Sequence, residues 1–170
     1  MSPSGVRSGH RPSRPGLVRD AALAVAPVAA ATILQFGIAA ANLRWYAGLL
    51  KPTFSPAPWL AATASLALAA LLAAGFLRVL RSPDYLPDRP GAIRVFLVGL
   101  ALDVAWSWLF FAGRHPTAAL AAAAALAVVA AYAAWRFAVV DRRAGLLLTP
   151  WVAATGFAFL LDLSIALRNG

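Results

Sequence analysis

Five long apolar stretches, separated only by short loops, constrain this chain more than any single residue does. They run over about residues 21–41, 59–80, 92–112, 118–140 and 146–167. At about 1.5 Å rise per residue, each comes close to the roughly 20 residues that a helix needs to cross the hydrocarbon core. A soluble domain of 170 residues has too little interior to bury all five, and a composition 62% hydrophobic and 12% charged agrees with a membrane setting. The expected fold class is all-α: an integral membrane five-helix transmembrane bundle over residues 21–170. Residues 1–20, with Arg7, Arg11, Arg14 and Arg19 among Pro, Ser and Gly, read as a disordered basic tail. The alternative, the n-region of a signal peptide, fits less well because the following stretch is long enough to span.

Composition removes several function classes. There is no cysteine, so disulfide, thiol-redox and thiolate-metal chemistry are excluded. His10 and His115 fall in the tail and in a loop, which leaves no ligand set for zinc or haem iron. The net charge of +9 comes from arginines beside the apolar stretches, where they act as topology signals rather than as a nucleic-acid surface. With the N-terminus inside, that side collects the tail arginines, Arg78, Arg81, Arg89, Arg94, Arg136, Arg142 and Arg143. The other side receives Arg44, Lys51, Arg114 and Arg168. The asymmetry predicts a cytoplasmic N-terminus in a bacterial-type cell membrane. Snorkelling accounts for Arg78, Arg94 and Arg136 near the segment ends.

The loop between the first two stretches, Asn42 to Trp59, is unlike the others. Pro52, Pro56 and Pro58 deny it a regular helix. Trp45, Tyr46, Phe54 and Trp59 make it apolar enough to fold back over the bundle mouth as a lid. The fourth stretch is so rich in alanine that helix backbones can approach closely, in interior packing or in a dimer.

At these residues the chain resembles the TspO/MBR family, the translocator proteins and tryptophan-rich sensory proteins. The loop holds Trp45-Tyr46, then Lys51-Pro52, Phe54, Pro56 and Trp59. A second block, Trp106-Ser107 with Phe110-Phe111 and Arg114, lies in the third stretch. A third comprises Trp135, Pro150-Trp151 (where the family has Pro-Tyr) and Asn169. The resemblance implies a five-helix bundle, commonly a homodimer, with a ligand cavity under the first loop. Family ligands include porphyrins, so a small hydrophobic, porphyrin- or haem-like ligand is implied, with no resident cofactor, no metal and no nucleic acid. Three departures stand out. The family's Gly-Pro-x-Trp in the second helix is Ala62-Thr63-Ala64-Ser65 here, followed by Ala69 where an aromatic is usual. The tryptophan four residues after the proline of the last helix is Ala154. The two pocket asparagines are Asp103 and Asp162.

Those two acids lie within the apolar stretches. A charged aspartate at the membrane centre costs about 2.5–3.5 kcal/mol on insertion scales, so both are expected to face the bundle interior. Gly99, Asp103, Trp106 and Phe110 recur at helical spacing and share one face, as do Thr155, Ala158, Phe159 and Asp162. If those faces meet below the lid they form an aromatic-walled pocket with an acidic floor, widened by Ser65, Ala69 and Ala154. Lys51 or Arg44 could instead neutralise an acid, and both acids could simply keep helix–helix hydrogen bonds. The residues expected to contact ligand are Trp45, Lys51, Pro52, Phe54, Trp59, Ser65, Asp103, Trp106, Phe110, Ala154 and Asp162, with Gln35 a weaker candidate. The reading is a membrane receptor or carrier for a small hydrophobic or amphipathic ligand. Its rivals are a porphyrin-degrading enzyme, a proton-linked transporter using Asp103 and Asp162, and a scaffold working through the fourth helix.

Overall fold

The computed structural model describes residues 14–169. The elements are α1 (Arg14–Ala41), a short α2 (Leu43–Ala47), α3 (Pro58–Leu80), α4 (Arg89–Ser107), α5 (Pro116–Val140) and α6 (Arg142–Asn169). Helix α4 continues through one π-helical turn, Trp108–Ala112. Five helices are long and apolar enough to cross a membrane, and no strand occurs among the described residues. The protein is an all-α integral membrane bundle.

Prolines mark most of the boundaries. Pro58, Pro90 and Pro116 stand in the first turns of α3, α4 and α5, where an N–H would have no intrahelical partner in any case. Pro150 is inside α6 and leaves the Leu146 carbonyl without its usual donor. The Thr149 hydroxyl supplies one, donating to that oxygen at 2.8 Å. One expectation needs correcting: the helix begins at Arg14, so residues 14–20 are helical rather than tail, while residues 1–13 lie outside the described part. Pro15, with its φ set for a first turn, is a natural place for that start.

The helices close into a ring in the order α1, α3, α6, α5, α4 and back to α1. The tightest pair is α5 with α6, joined by the single extended residue Asp141. Its carboxylate caps α6, accepting from the Arg143 and Ala144 amides at 2.8 and 3.3 Å. Gly145 makes the reversal feasible, because a Cβ there would fall 2.7 Å from the Ala138 Cα. Five alanines of α5 are buried: Ala119, Ala123, Ala130, Ala133 and Ala134.

The end of the bundle that carries the α3–α4 and α5–α6 connections is stitched by arginine. Arg78 pairs with Asp141 at 2.7 Å. Arg89 donates to the Val79 and Leu80 carbonyls at 3.1 and 2.7 Å, closing the C-terminus of α3, and also pairs with Asp84. Arg136 reaches the Asp88 carboxylate and carbonyl, both at 3.2 Å. Arg78 and Arg136 are thus cross-loop ties, not the free snorkelling chains expected from their position, because loop aspartates stand in register with them. Partial burial pushes the Asp141 carboxyl up, but the Arg78 guanidinium and the two capping amides outweigh it and hold the group below the usual carboxylate range. Above these ties Phe76, Phe96 and Phe137 stack with centroids 4.8 and 5.2 Å apart, and Trp151 meets Phe96 edge-on at 6.0 Å.

Candidate functional site

At the other end the ring is not filled. From Pro58 to Leu71 no residue of α3 is buried, and its buried residues begin at Leu72. The reason is composition: Ala61, Ala62, Ala64, Ser65 and Ala69 on α3, with Ala154 and Ala158 on α6, are too small to reach the ring centre. They leave a cavity of about 710 Å³ walled by α1, α3, α4 and α6, with α5 touching it through Ala123 and Leu126. Most of the wall is apolar. Tyr46, Phe36, Trp106, Phe111 and Trp151 contribute aromatic faces.

The Asn42–Pro58 loop roofs this space. Its first turn is helical, contrary to the expectation that prolines would forbid it, because the prolines start only at Pro52 while Leu43–Ala47 still continues hydrogen bonding from Asn42. Lys51 closes that turn, donating to the Tyr46 and Ala47 carbonyls at 2.7 and 3.4 Å with its ammonium 4.5 Å from the Tyr46 ring. Lys51 therefore serves the loop's own backbone and neutralises neither acid. Asn169, at the end of α6, holds Leu50 by both backbone groups: its oxygen accepts from the Leu50 amide at 2.9 Å and its NH₂ donates to the Leu50 carbonyl at 3.1 Å. Trp45 and Tyr46 pack edge-on against Phe110 at 5.7 and 6.2 Å, and Phe54 meets Phe157 at 6.1 Å.

The two intramembrane acids occupy different environments. Asp162 is 1% exposed and accepts the Trp106 indole N–H at 2.6 Å. It lies behind the Trp106 ring, away from the cavity surface. Burial, and then the charge on Asp162, push the Tyr46 phenol above its ordinary range. Asp103 opens into the cavity beside Gln35 and Trp151. Among the described residues no cation pairs with it; the three ion pairs all lie at the stitched end. The Trp151 ring is 1% exposed, and its N–H lies on the Asp103 side without reaching hydrogen-bond geometry. By contrast Thr32, Ser65 and Thr155 spend their hydroxyls on carbonyls of their own helices, at 2.9, 2.9 and 3.0 Å.

Of the residues singled out from sequence, Ser65, Asp103, Trp106 and Ala154 line the cavity. Trp45 and Phe110 belong to the loop-end aromatic cluster, Lys51 to the cap of α2, and Asp162 to the bond with Trp106. Pro52 is buried in the loop, while Phe54 and Trp59 are exposed at its rim. Trp151 is the principal addition. Its signal was present in Pro150-Trp151 and in Gly99, since a Cβ at Gly99 would sit 2.5 Å from Trp151 Cη2. No group of three His, Cys, Asp or Glu side chains gathers among the described residues, and no histidine lines the cavity to ligate a haem iron.

Comparison with known proteins agrees with this architecture. The model of the TspO/MBR family matches residues 22–168. The tryptophan-rich protein TspO of Chlorobaculum tepidum is 27% identical over 125 residues, covering 74% of this chain and 79% of that protein. The tryptophan-rich sensory protein of Cereibacter sphaeroides is 29% identical over 119 residues, 68% of this chain and 73% of its own length. With a family match spanning all five membrane helices, the chain belongs to the TspO/MBR family.

Proposed function

We propose that this protein is a membrane receptor or carrier that takes a small hydrophobic or amphipathic ligand into the cavity beneath the Asn42–Pro58 loop. The observation that carries the reading is the cavity itself: about 710 Å³, walled mostly by small and aromatic side chains, with a few polar groups, Asp103 and Gln35 among them. Those are the proportions of a small-molecule site. The sensory name of the Cereibacter sphaeroides relative supports a receptor role, and a porphyrin-like ligand follows the family. The arginine asymmetry supports a cytoplasmic N-terminus in a bacterial cell membrane, and the outward face of α5 offers a surface for a homodimer.

The test is a thermal-shift titration of the purified protein in lipid nanodiscs with protoporphyrin and with uncharged amphiphiles, on wild type and on Ala154→Trp. Ligands that bind only the folded state raise its apparent stability. Wild type should be stabilised in a saturable way, and the bulky indole should abolish the effect. Equal responses of the two proteins would remove the cavity from the function.

A further inference from the structure

We propose that Asp103, with Gln35 and Trp151 beside it and aromatic faces around it, makes the cavity selective for an amphipathic cation, an organic amine with an apolar body. The inference rests on the cavity being the ligand site, and goes further by naming the class of head group.

Three observations converge. Asp103 is the acidic side chain on the cavity wall, and no lysine, arginine or histidine among the described residues pairs with it. Within a membrane an unpaired carboxylate is costly unless something compensates it, and such residues mark ligand and ion paths. The other intramembrane acid is already satisfied: Asp162 holds the Trp106 indole at 2.6 Å and is sealed behind it. Among the described residues neither acid has a cation partner, but Asp162 is sealed away while Asp103 lines the cavity beside the neutral Gln35 and Trp151 side chains, so Asp103 is the acid that a ligand's charge can reach.

The surroundings suit a cation. Tyr46, Trp106 and Trp151 line the same space, and an ammonium group is attracted to aromatic rings as well as to carboxylate. The Gln35 amide offers a further acceptor oxygen. The buried Trp151 N–H lies on the Asp103 side and supports its carboxylate. The small residues of α3 and α6 leave room for the apolar body above this floor. An anionic head would meet Asp103 as a like charge, so an acidic ligand such as protoporphyrin has to enter with its carboxylates turned away from Asp103.

The experiment compares a matched pair, 4-phenylbutylamine and 4-phenylbutan-1-ol, on the full chain in zwitterionic phosphatidylcholine nanodiscs, by calorimetric titration. The amine should bind wild type at least about tenfold more tightly than the alcohol, the scale of one charge-assisted hydrogen bond. In Asp103→Asn, nearly isosteric and expected to fold, the preference should vanish. In Asp162→Asn it should persist, even if overall stability falls. Equal binding of amine and alcohol to wild type overturns the selectivity while leaving the cavity reading intact. A preference that survives Asp103→Asn overturns the assignment of the residue. Binding of neither probe, together with unchanged behaviour in Ala154→Trp, overturns the cavity reading along with it.

Discussion

Replacing Trp106 by Phe removes one hydrogen-bond donor and little else, and its effect measures how far Asp162 depends on that donor. The Trp106 Nε1–Asp162 Oδ2 distance is 2.6 Å, and the carboxyl is 1% exposed. Interhelical hydrogen bonds in membranes average about 0.6 kcal/mol and reach about 1.7 kcal/mol, because the unfolded state in the membrane finds other partners. The upper end applies here, since Asp162 is sealed and has no second donor to turn to. A coupling energy of about 1.5 kcal/mol is therefore expected. The single change Trp106→Phe should cost more, about 3 kcal/mol, because it also leaves a buried carboxyl unsatisfied and opens a small void. At about 2–4 °C per kcal/mol for a chain of this size, the melting temperature should fall by roughly 6–12 °C.

The assay is a double-mutant cycle with Asp162→Leu, read by far-ultraviolet circular dichroism during reversible unfolding in mixed micelles. Leucine keeps approximate volume and needs no donor, so Trp106→Phe/Asp162→Leu should be about 1 kcal/mol more stable than Trp106→Phe alone. If the two changes simply add, the bond contributes nothing and Asp162 must be held by something else.

Three further outcomes are expected. Gly99→Ala drives a methyl to within 2.5 Å of the Trp151 ring, so it should cost about 1–3 kcal/mol, with recovery in Gly99→Ala/Trp151→Tyr; a neutral single variant in chemical denaturation would sink the close-contact argument. Asp141, whose carboxyl is held below its usual range, contributes stability that is fully present above the unfolded pKa of about 3.9 and is lost as pH falls through the lower folded value. Asp141→Asn retains a capping side chain but removes this acid limb; the effect should stay below about 1 kcal/mol, because the Arg78 and Asp141 side chains are 40% and 22% exposed, and melting curves from pH 3 to pH 7 check it. Asn169→Ala frees both backbone groups of Leu50, so hydrogen exchange at that amide should accelerate about tenfold or more while α5 and α6 keep their protection.

The fold was legible because membrane helices are written in long apolar runs and their ends in prolines and arginines. The helix positions from 58 onward differ from expectation by at most a turn. What composition could not reveal was which side chains satisfy one another. The arginines near the segment ends look alike in sequence, yet Arg78 and Arg136 become cross-loop ties because Asp141 and Asp88 happen to face them. Trp45, Phe110 and Lys51 carry family-like spacing, but the loop uses them on itself. Helical periodicity put Asp103 and Trp106 on one face correctly, and it could not say that the Trp106 N–H points to the other helix.

The location of the cavity follows from where the bundle keeps its stabilising contacts. The three ion pairs among the described residues and the phenylalanine cluster lie at the end bearing the α3–α4 and α5–α6 connections. There α3 is buried through Leu72, Gly75, Phe76 and Val79, whereas its other half lines the cavity mostly with small residues, Leu60 and Leu68 apart. A helix anchored at one end can leave the other half of the ring unfilled without unfolding. Small residues on α3 and α6 then act together with Gly99, whose missing Cβ leaves room for the Trp151 ring. Restoring bulk at Ala154 and at Ser65 would fill the same space from two sides, so the variants should protect the protein thermally while removing its ligand response. Stability and binding capacity compete for one volume, and in this chain the small side chains have settled that competition in favour of the cavity.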